Sequence, residues 1–382
     1  MAQKVKTIKC FAFYDTLDSR DERMNNPAAF TKSSYIFECF QALGYKVDIL
    51  SASGVVGKKG AKGRKRTIGD GMSLRTLTSF GRGSRLKNAI TRIPFMVNMF
   101  FKLLFFVKKG DMLWVYHSLP LMKYVKFLKK VKKFKLISEV EEIYGDVLKS
   151  QKTINRELDY FKCADAYIFC TGLLSKPANP LGKPEAVSHG SYKVIPEMSG
   201  SFEDDKIHVV YAGTLCTEKG GVYSAVSSGL FLDSRYHLHI LGSGTDSEVK
   251  RVKALIKSVS EKSECKVTYD GAFYGKKYYE FLQKCHIGLS TQNPYEPFNN
   301  SSFPSKVLVY MANGLRVVSV RIPAIEQSAV GEYMCFYDNP DPEKIAGTIK
   351  SVDLNSGYDG RKIIERIHED FLEDLKVLLD SI

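Results

Sequence analysis

The feature that most constrains this chain is an alternation that runs through it twice. Short apolar runs, each long enough for one buried strand, take turns with stretches of helical period. In the first half the runs are Lys6 to Tyr14, Tyr45 to Leu50, Met112 to Tyr116, Phe134 to Ser138 and Tyr167 to Cys170. Pro27 to Leu43 and Leu121 to Val131 read as helices among them. In the second half the strands are His208 to Ala212, His237 to Leu241, Val267 to Tyr269, Ile287 to Ser290 and Arg316 to Val320. Tyr223 to Leu230, Ser247 to Ser260 and Lys277 to Lys284 are the intervening helices. Strands that alternate with helices build parallel sheets covered on both faces. The pattern predicts an α/β chain with two Rossmann-like domains, over residues 1–198 and 199–360. Ile195 to Asp205, rich in Pro, Gly, Ser and acids, has linker composition.

The length of 382 residues exceeds what one core usually organises, and 44% hydrophobic residues fit a globular chain. Eight scattered cysteines without a Cys-x-x-Cys pair read as reduced thiols, not a disulfide frame or a zinc site. Met1 to Tyr14 mixes lysines with apolar residues, so no signal peptide is expected there. The longest apolar run, Phe95 to Val107, is broken by Asn98 and Lys102 and is shorter than a bilayer span. Residues 54–90, rich in Gly, Lys and Arg, read as a mobile surface loop. Charge divides unevenly. Residues 1–200 carry 35 Lys and Arg against 17 acids, whereas residues 201–382 carry 21 against 25. A basic half and a mildly acidic half suggest different partners.

Three segments of the second half point to phosphate chemistry. Phe303-Pro304-Ser305-Lys306 precedes a short helix ending at Asn313-Gly314, with Ser305 as the expected N-cap and Gly314 as the left-handed terminator. A helix start carrying a lysine suits an anion. Ala212-Gly213-Thr214 leads to Lys219-Gly220-Gly221, and Leu241-Gly242-Ser243-Gly244 forms a second glycine turn. Glycine at the carboxyl end of a parallel strand lets backbone approach a ligand, although ordinary βα turns look the same. In the first half, His117 ends a strand, where a polar residue faces a cleft or simply satisfies the core. Glu141 and Glu142 follow another strand and read as acceptor-hydroxyl partners, structural carboxylates or a solvated helix start. The stripe Leu121, Tyr124, Val125 and Leu128, bordered by Lys123, Lys126, Lys129 and Lys130, fits an anionic membrane surface. A solvated face is the plainer alternative; nucleic acid is not expected, for want of a binding signature. Phe95 to Val107 is either an added interfacial face or core.

Taken together, Val210 to Gly221, Leu241 to Gly244, Tyr269 to Tyr274 and Phe303 to Gly314 resemble the GT-B-fold glycosyltransferases, particularly glycosyltransferase family 4 of bacterial surface-polysaccharide synthesis. Ala42 to Leu50 and Val115 to Pro120 are similar to that family's acceptor domain. Two positions depart from its pattern: Thr214 replaces a frequent arginine, and Val309 stands where a second glutamate usually lies. The resemblance implies two Rossmann-like domains facing across a cleft, with a terminal helix, residues 361–382, crossing back onto the first. It implies a nucleotide-sugar donor, UDP-linked in preference to GDP-linked, held by Gly213, Thr214, Lys219, Gly242, Gly244, Phe273, Tyr274, Ser305 and Lys306. It implies His117 beside the transferred sugar, a lipid-linked or oligosaccharide acceptor, retention of configuration, no cofactor and no metal. The protein would then act on the cytoplasmic face of the cell membrane. The rival readings are a sugar-nucleotide epimerase of the same fold, and a non-catalytic membrane- or nucleic-acid-binding protein on the same scaffold.

Overall fold

The computed structural model describes residues 6–16, 22–198, 200–216, 221–296, 299 and 301–382. The chain forms two compact units, Met1–Ser191 with Phe371–Ile382, and Tyr192–Asp370.

Unit 1 runs β1 (Thr7–Ala12), α1 (Pro27–Ala42), β2 (Lys46–Ser51), β3 (Lys65–Gly69), β4 (Met72–Arg75), α2 (Arg85–Phe106) and β5 (Met112–Tyr116). It continues with α3 (Leu119–Lys132), β6 (Lys135–Val140), α4 (Tyr144–Val147), α5 (Gln151–Phe161), β7 (Ala166–Phe169), α6 (Ser175–Ala178) and β8 (Glu185–Val187). The sheet order is β3-β4-β2-β1-β5-β6-β7-β8. Every pair is parallel except the β3–β4 hairpin. The central strands are apolar on both faces because helices cover both. Local signals set the helix ends. Asn26 accepts from the Ala28 and Ala29 N–H groups at 3.0 and 3.4 Å, Pro27 fills the first turn, and Gly44 leaves α1 at φ +84°.

Residues 54–90 depart from the expected loop. They hold β3, β4 and the first turns of α2. Asp48 on β2 anchors the hairpin, accepting from Ser73 Oγ at 2.7 Å and pairing with Arg75 at 2.8 Å. Lysines and arginines on this short edge pair hide its strand signal. The basic start of α2, capped by Ser84, likewise hides that helix.

Unit 2 runs β9 (Ile207–Thr214), α7 (Gly221–Ser228), β10 (Tyr236–Ser243), α8 (Asp246–Ser260), β11 (Lys266–Gly271), α9 (Gly275–Leu282) and β12 (Ile287–Ser290). Then come α10 (Lys306–Ala312), β13 (Arg316–Val320), α11 (Pro323–Glu326), β14 (Cys335–Tyr337), α12 (Pro342–Lys350) and α13 (Gly360–Asp380). Its sheet is wholly parallel, in the order β11-β10-β9-β12-β13-β14. Numbered within the unit, that order is 3-2-1-4-5-6, the doubly wound dinucleotide-binding arrangement. From Phe371 onward, α13 belongs to unit 1, where the Phe371 ring stacks on Tyr35 at 6.0 Å. The terminal helix therefore crosses back as expected.

Candidate active site

In a doubly wound sheet the chain leaves the first strand toward one side and the fourth toward the other. The connections diverge, and a hollow opens beyond the carboxyl ends of those two strands. In unit 2 these strands are β9 and β12, which are neighbours. The glycine turns lie at this end. Gly213 is the register partner of Gly242, and Thr214 of Ser243. A Cβ on Gly242 would collide with the Gly213 carbonyl oxygen, so only glycine fits. A Cβ on Gly244 would lie 2.9 Å from the Leu215 carbonyl oxygen and 3.0 Å from Glu248 Oε2. Directly after it, Thr245 opens α8 with a capping box.

Lys306 reaches the same place from α10. Its Nζ lies 3.0 Å from where a Cβ on Gly213 would sit, and 4.1 Å above the Tyr211 ring. An aromatic face under an ammonium group stabilises it by cation–π attraction. One turn along α10, Tyr310 fixes the helix. Its buried hydroxyl accepts from the Ala212 N–H at 2.8 Å and lies 3.3 Å from the Leu289 carbonyl it donates to. Gly288 makes room for this ring, which a Cβ there would strike. Gly314, at φ +87°, ends the helix as expected: its N–H donates to Met311 O at 2.9 Å, and the Leu315 N–H to Tyr310 O at 3.0 Å. Ser305 differs from its expected role. It is already helical at φ −53° and makes no side-chain cap hydrogen bond, because α10 enters directly from Pro304.

Thr214 is exposed at the end of β9. Phe273 and Tyr274 follow β11 at the same carboxyl end of the sheet. Phe273 lies under Lys277 Nζ at 4.4 Å, and Tyr274 is 75% exposed. Lys219 lies outside the described residues. Tyr211, Tyr310 and Thr291 escaped the sequence reading. Thr291 Oγ donates to the Gly221 carbonyl at 2.6 Å, which ties the start of α7 to the end of β12. A tyrosine within an apolar strand or helix carries no signature that separates such a brace from ordinary core.

The corresponding edge of unit 1 is filled, not bare. Asp15, just beyond β1, is 2% exposed and pairs with Arg66; Arg23 Nε lies 3.9 Å away. Lys32 on α1 is buried, 2.9 Å from Glu139 Oε1 and paired also with Glu141. Its ammonium donates to the Ser188 carbonyl at 2.7 Å. Burial pulls the Lys32 pKa down, but Glu139 and Glu141 outweigh it and hold it above its ordinary value. Burial pushes the Glu139 carboxyl up, against the pull of Lys32. Glu141 is therefore a partner of a buried lysine, not part of a solvated helix start.

His117 requires a correction. It ends β5 as expected, but it is 1% exposed. Phe161, Tyr144 and Tyr160 enclose its ring at 4.8, 5.3 and 5.8 Å. Its Nε2 lies 3.3 Å from Glu157 Oε1, and that carboxylate accepts from the Tyr144 and Gly145 N–H groups at 2.9 and 2.7 Å. Burial lowers the imidazole to about 3, so it is neutral. The enclosed ring leaves no open face for direct contact with a sugar.

The lysine helix also needs revision. Leu121, Val125 and Leu128 are fully buried in a core shared with Met99, Leu103 and Phe106 of α2. Lys126 pairs with Asp159 and Lys129 with Asp165, within the unit. Lys123 lies over its neighbour Tyr124 at 4.9 Å, and both Lys123 and Lys130 are exposed. The larger exposed apolar face belongs to α2, while α3 exposes Phe127 and Val131. Leu86 and Phe105 are 71% and 76% exposed, and Ile90, Ile93, Val97 and Phe101 share their side. A hollow of about 330 Å³ on this face is lined by Ile93, Met96, Val97, Phe100, Phe101 and Tyr124.

No protein-family model and no curated protein matches the chain. Solved structures do. An E. coli trehalose-6-phosphate protein bound with UDP-2-fluoro glucose superposes with a TM-score of 0.69 at 10% identity, over 98% of this chain and 99% of that one. Sucrose-phosphate synthase from Thermosynechococcus elongatus gives 0.68 at 12% identity, over 98% of both chains. The alpha,alpha-trehalose-phosphate synthase (UDP-forming) from Burkholderia xenovorans, in complex with glucose-6-phosphate, gives 0.62 at 12% identity, over 98% and 97%. The chain has the GT-B fold. In a GT-B chain, the glycine-lined carboxyl edge of unit 2 and the charged carboxyl edge of unit 1 are the two places where ligands are expected.

Proposed function

We propose that this chain is a glycosyltransferase that moves a sugar from a nucleotide-sugar, UDP-linked in preference to GDP-linked, to a phosphate-bearing saccharide, lipid-linked, in surface-polysaccharide synthesis. The observation that carries this reading is the meeting of Gly213, Gly242 and Lys306 beyond the carboxyl ends of the unit 2 strands. Bare backbone with one ammonium group above it suits a diphosphate. A similar structure bound with UDP-2-fluoro glucose, and another described as UDP-forming, favour uridine. In this reading the bond between the anomeric carbon and the diphosphate oxygen breaks, and the diphosphate leaves with the electron pair. Lys306 offsets its growing charge, with Lys219 as second cation. The acceptor oxygen bonds to the anomeric carbon, and its proton passes to the departing phosphate. Retention of configuration comes with the family 4 resemblance. Phe273 and Tyr274 supply aromatic surface for the base.

Unit 1 would hold the acceptor. The resemblance to GT-B glycosyltransferases, whose first domain takes the acceptor, supports this placement. The exposed apolar side of α2, with Arg85, Lys87, Arg92 and Lys102 also exposed on the helix, supports in-plane contact with an anionic membrane. By length and composition α2 is also apolar enough to cross a bilayer. Its Met99, Leu103 and Phe106 are core residues of unit 1, which favours lying flat. The protein would then be peripheral on the cytoplasmic face.

The test is product formation from a panel of UDP- and GDP-sugars with lipid-linked phosphosaccharides or sugar phosphates as acceptor. Transfer from one UDP-sugar is expected; absence of both binding and turnover across the panel overturns the assignment. In parallel, the double variant Phe101→Asp/Phe105→Asp is expected to stay in the supernatant when phosphatidylglycerol vesicles are sedimented. Undiminished co-sedimentation rejects α2 as the contact.

A further inference from the structure

Unit 2 contains a second constellation that nucleotide-sugar binding does not use. Strand β10 carries His237-Leu238-His239, and a strand's period of two puts both histidines on one face. His208 on β9 is the register partner of His237, so it shares that face. The three imidazoles are 1%, 6% and 2% exposed for His208, His237 and His239. They offer one ring nitrogen each, and these atoms all lie within 4.8 Å of one another. His208 stands five residues before Gly213, about 16 Å along the strand, so the cluster is well separated from the glycine turns.

The backing of each ring is what suggests a ligand. His208 Nε2 is held by Asp204 Oδ1 at 2.7 Å, His239 Nδ1 by Asp270 Oδ2 at 3.2 Å, and His237 Nε2 by Thr268 Oγ at 3.0 Å. Carboxylates and hydroxyls behind imidazoles fix the tautomer and turn the opposite nitrogen toward a common point. The opposite nitrogens of His208 and His239 face each other at 2.9 Å in a hydrogen bond, whose proton a bound cation would displace. The third, His237 Nδ1, is buried without a hydrogen-bond partner among the described residues. Such an orphan costs about 1–3 kcal/mol unless something occupies it. Phe202 roofs the cluster, 3.9 Å from the His208 ring and 4.9 Å from His239. Tetrahedral zinc, with bonds near 2.0–2.1 Å, spaces its donors about 3.3–3.4 Å apart, so small ring movements bring the set into register.

We propose that His208, His237 and His239 bind one divalent transition-metal ion, of which zinc is the type. Three imidazole donors favour zinc, nickel or copper over magnesium or calcium. The ion ties β9 to β10 and stabilises unit 2; it takes no part in sugar transfer. Cysteine spacing offers no hint of it, because the signal is a histidine pair two apart in one strand and a third in its neighbour.

The test uses the full chain purified without a histidine tag. Metal content is measured by mass spectrometry. Zn2+ is then titrated into EDTA-treated protein, and Co2+ into a parallel sample for its visible spectrum. Near one equivalent of Zn2+ per chain is expected, with a raised Tm, a nitrogen-ligated Co2+ band and no response to Mg2+. His237→Asn and His239→Gln are expected to lower Zn2+ affinity at least tenfold while UDP affinity stays unchanged, which separates loss of the site from loss of the fold. Well under one equivalent in the wild type with no Tm change, or unchanged Zn2+ affinity in both variants, overturns the proposal. Should either variant fail to fold, the wild-type stoichiometry and the Co2+ spectrum decide.

Discussion

Without the antiparallel β3 and the edge strand β8, the strands of unit 1 repeat the winding order of unit 2, yet the carboxyl edges of the two sheets are built in opposite ways. In unit 2 the edge is stripped: glycines at 213, 242 and 244 leave bare backbone, and among the described residues Lys306 leans over it from α10. In unit 1 the edge is packed: Lys32, Glu139 and Glu141 form a buried ionic cluster, and His117 lies under three aromatic rings. A stripped edge can take up a ligand's oxygens. A packed edge holds its own charges in place and is correspondingly sensitive to losing one.

The contrast predicts different failures. Lys32→Met should be the most damaging change, since it leaves two carboxylates beside each other in the unit 1 interior. A loss of about 3–5 kcal/mol is expected in denaturant unfolding. A fully stable variant would mean that Glu139 and Glu141 protonate at no cost, and the packed-edge description would fail. Gly242→Ala should act on binding, because its Cβ displaces the Gly213 carbonyl. A roughly 100-fold weaker affinity for UDP, about 2.7 kcal/mol, is expected by calorimetry. Unchanged affinity would place the diphosphate elsewhere.

Acid should sharpen the comparison from the unit 1 side. Burial lowers His117 to about 3 and His189 to about 4, against an ordinary value of 6.5. The folded state therefore binds fewer protons than the unfolded one. This stability is complete above pH 6.5 and is lost as pH falls toward the folded values, by roughly 2 kcal/mol per imidazole at pH 5. His117→Gln should flatten part of that slope in urea titrations run from pH 7.5 to pH 5; an unaltered slope would show that the ring is accessible to protons. The smallest effect is expected from Lys126→Gln with Lys129→Gln. Those lysines are engaged by Asp159 and Asp165, so vesicle co-sedimentation should change little. A large loss would restore α3 as the membrane contact.

Much of this arrangement was legible from residues alone. Apolar runs with helical stretches between them announce parallel sheets, and Lys306 stood out because proline, lysine and a terminating glycine leave few alternatives. The supports did not stand out. Tyr310 reads as ordinary core, yet its hydroxyl pins α10 to β9. His117 at a strand end has the same sequence signature whether it faces solvent or Phe161, and only packing of α5 decides. The helix α2 begins with Arg85, Lys87 and Arg92, so charge masked a helix whose exposed side is apolar. Ser305 has the right chemistry for a cap, but its backbone is already helical.

The central claim is that the carboxyl edge of unit 2 grips a diphosphate with glycine backbone and Lys306. Calorimetric titration of UDP into the wild type and Lys306→Ala tests it most directly. Saturable binding to the wild type, with affinity reduced about 10- to 100-fold in a variant of unchanged Tm, is the expected result for the loss of one charge-assisted phosphate contact. Equal affinity in the two proteins, or no UDP binding to either, would contradict it.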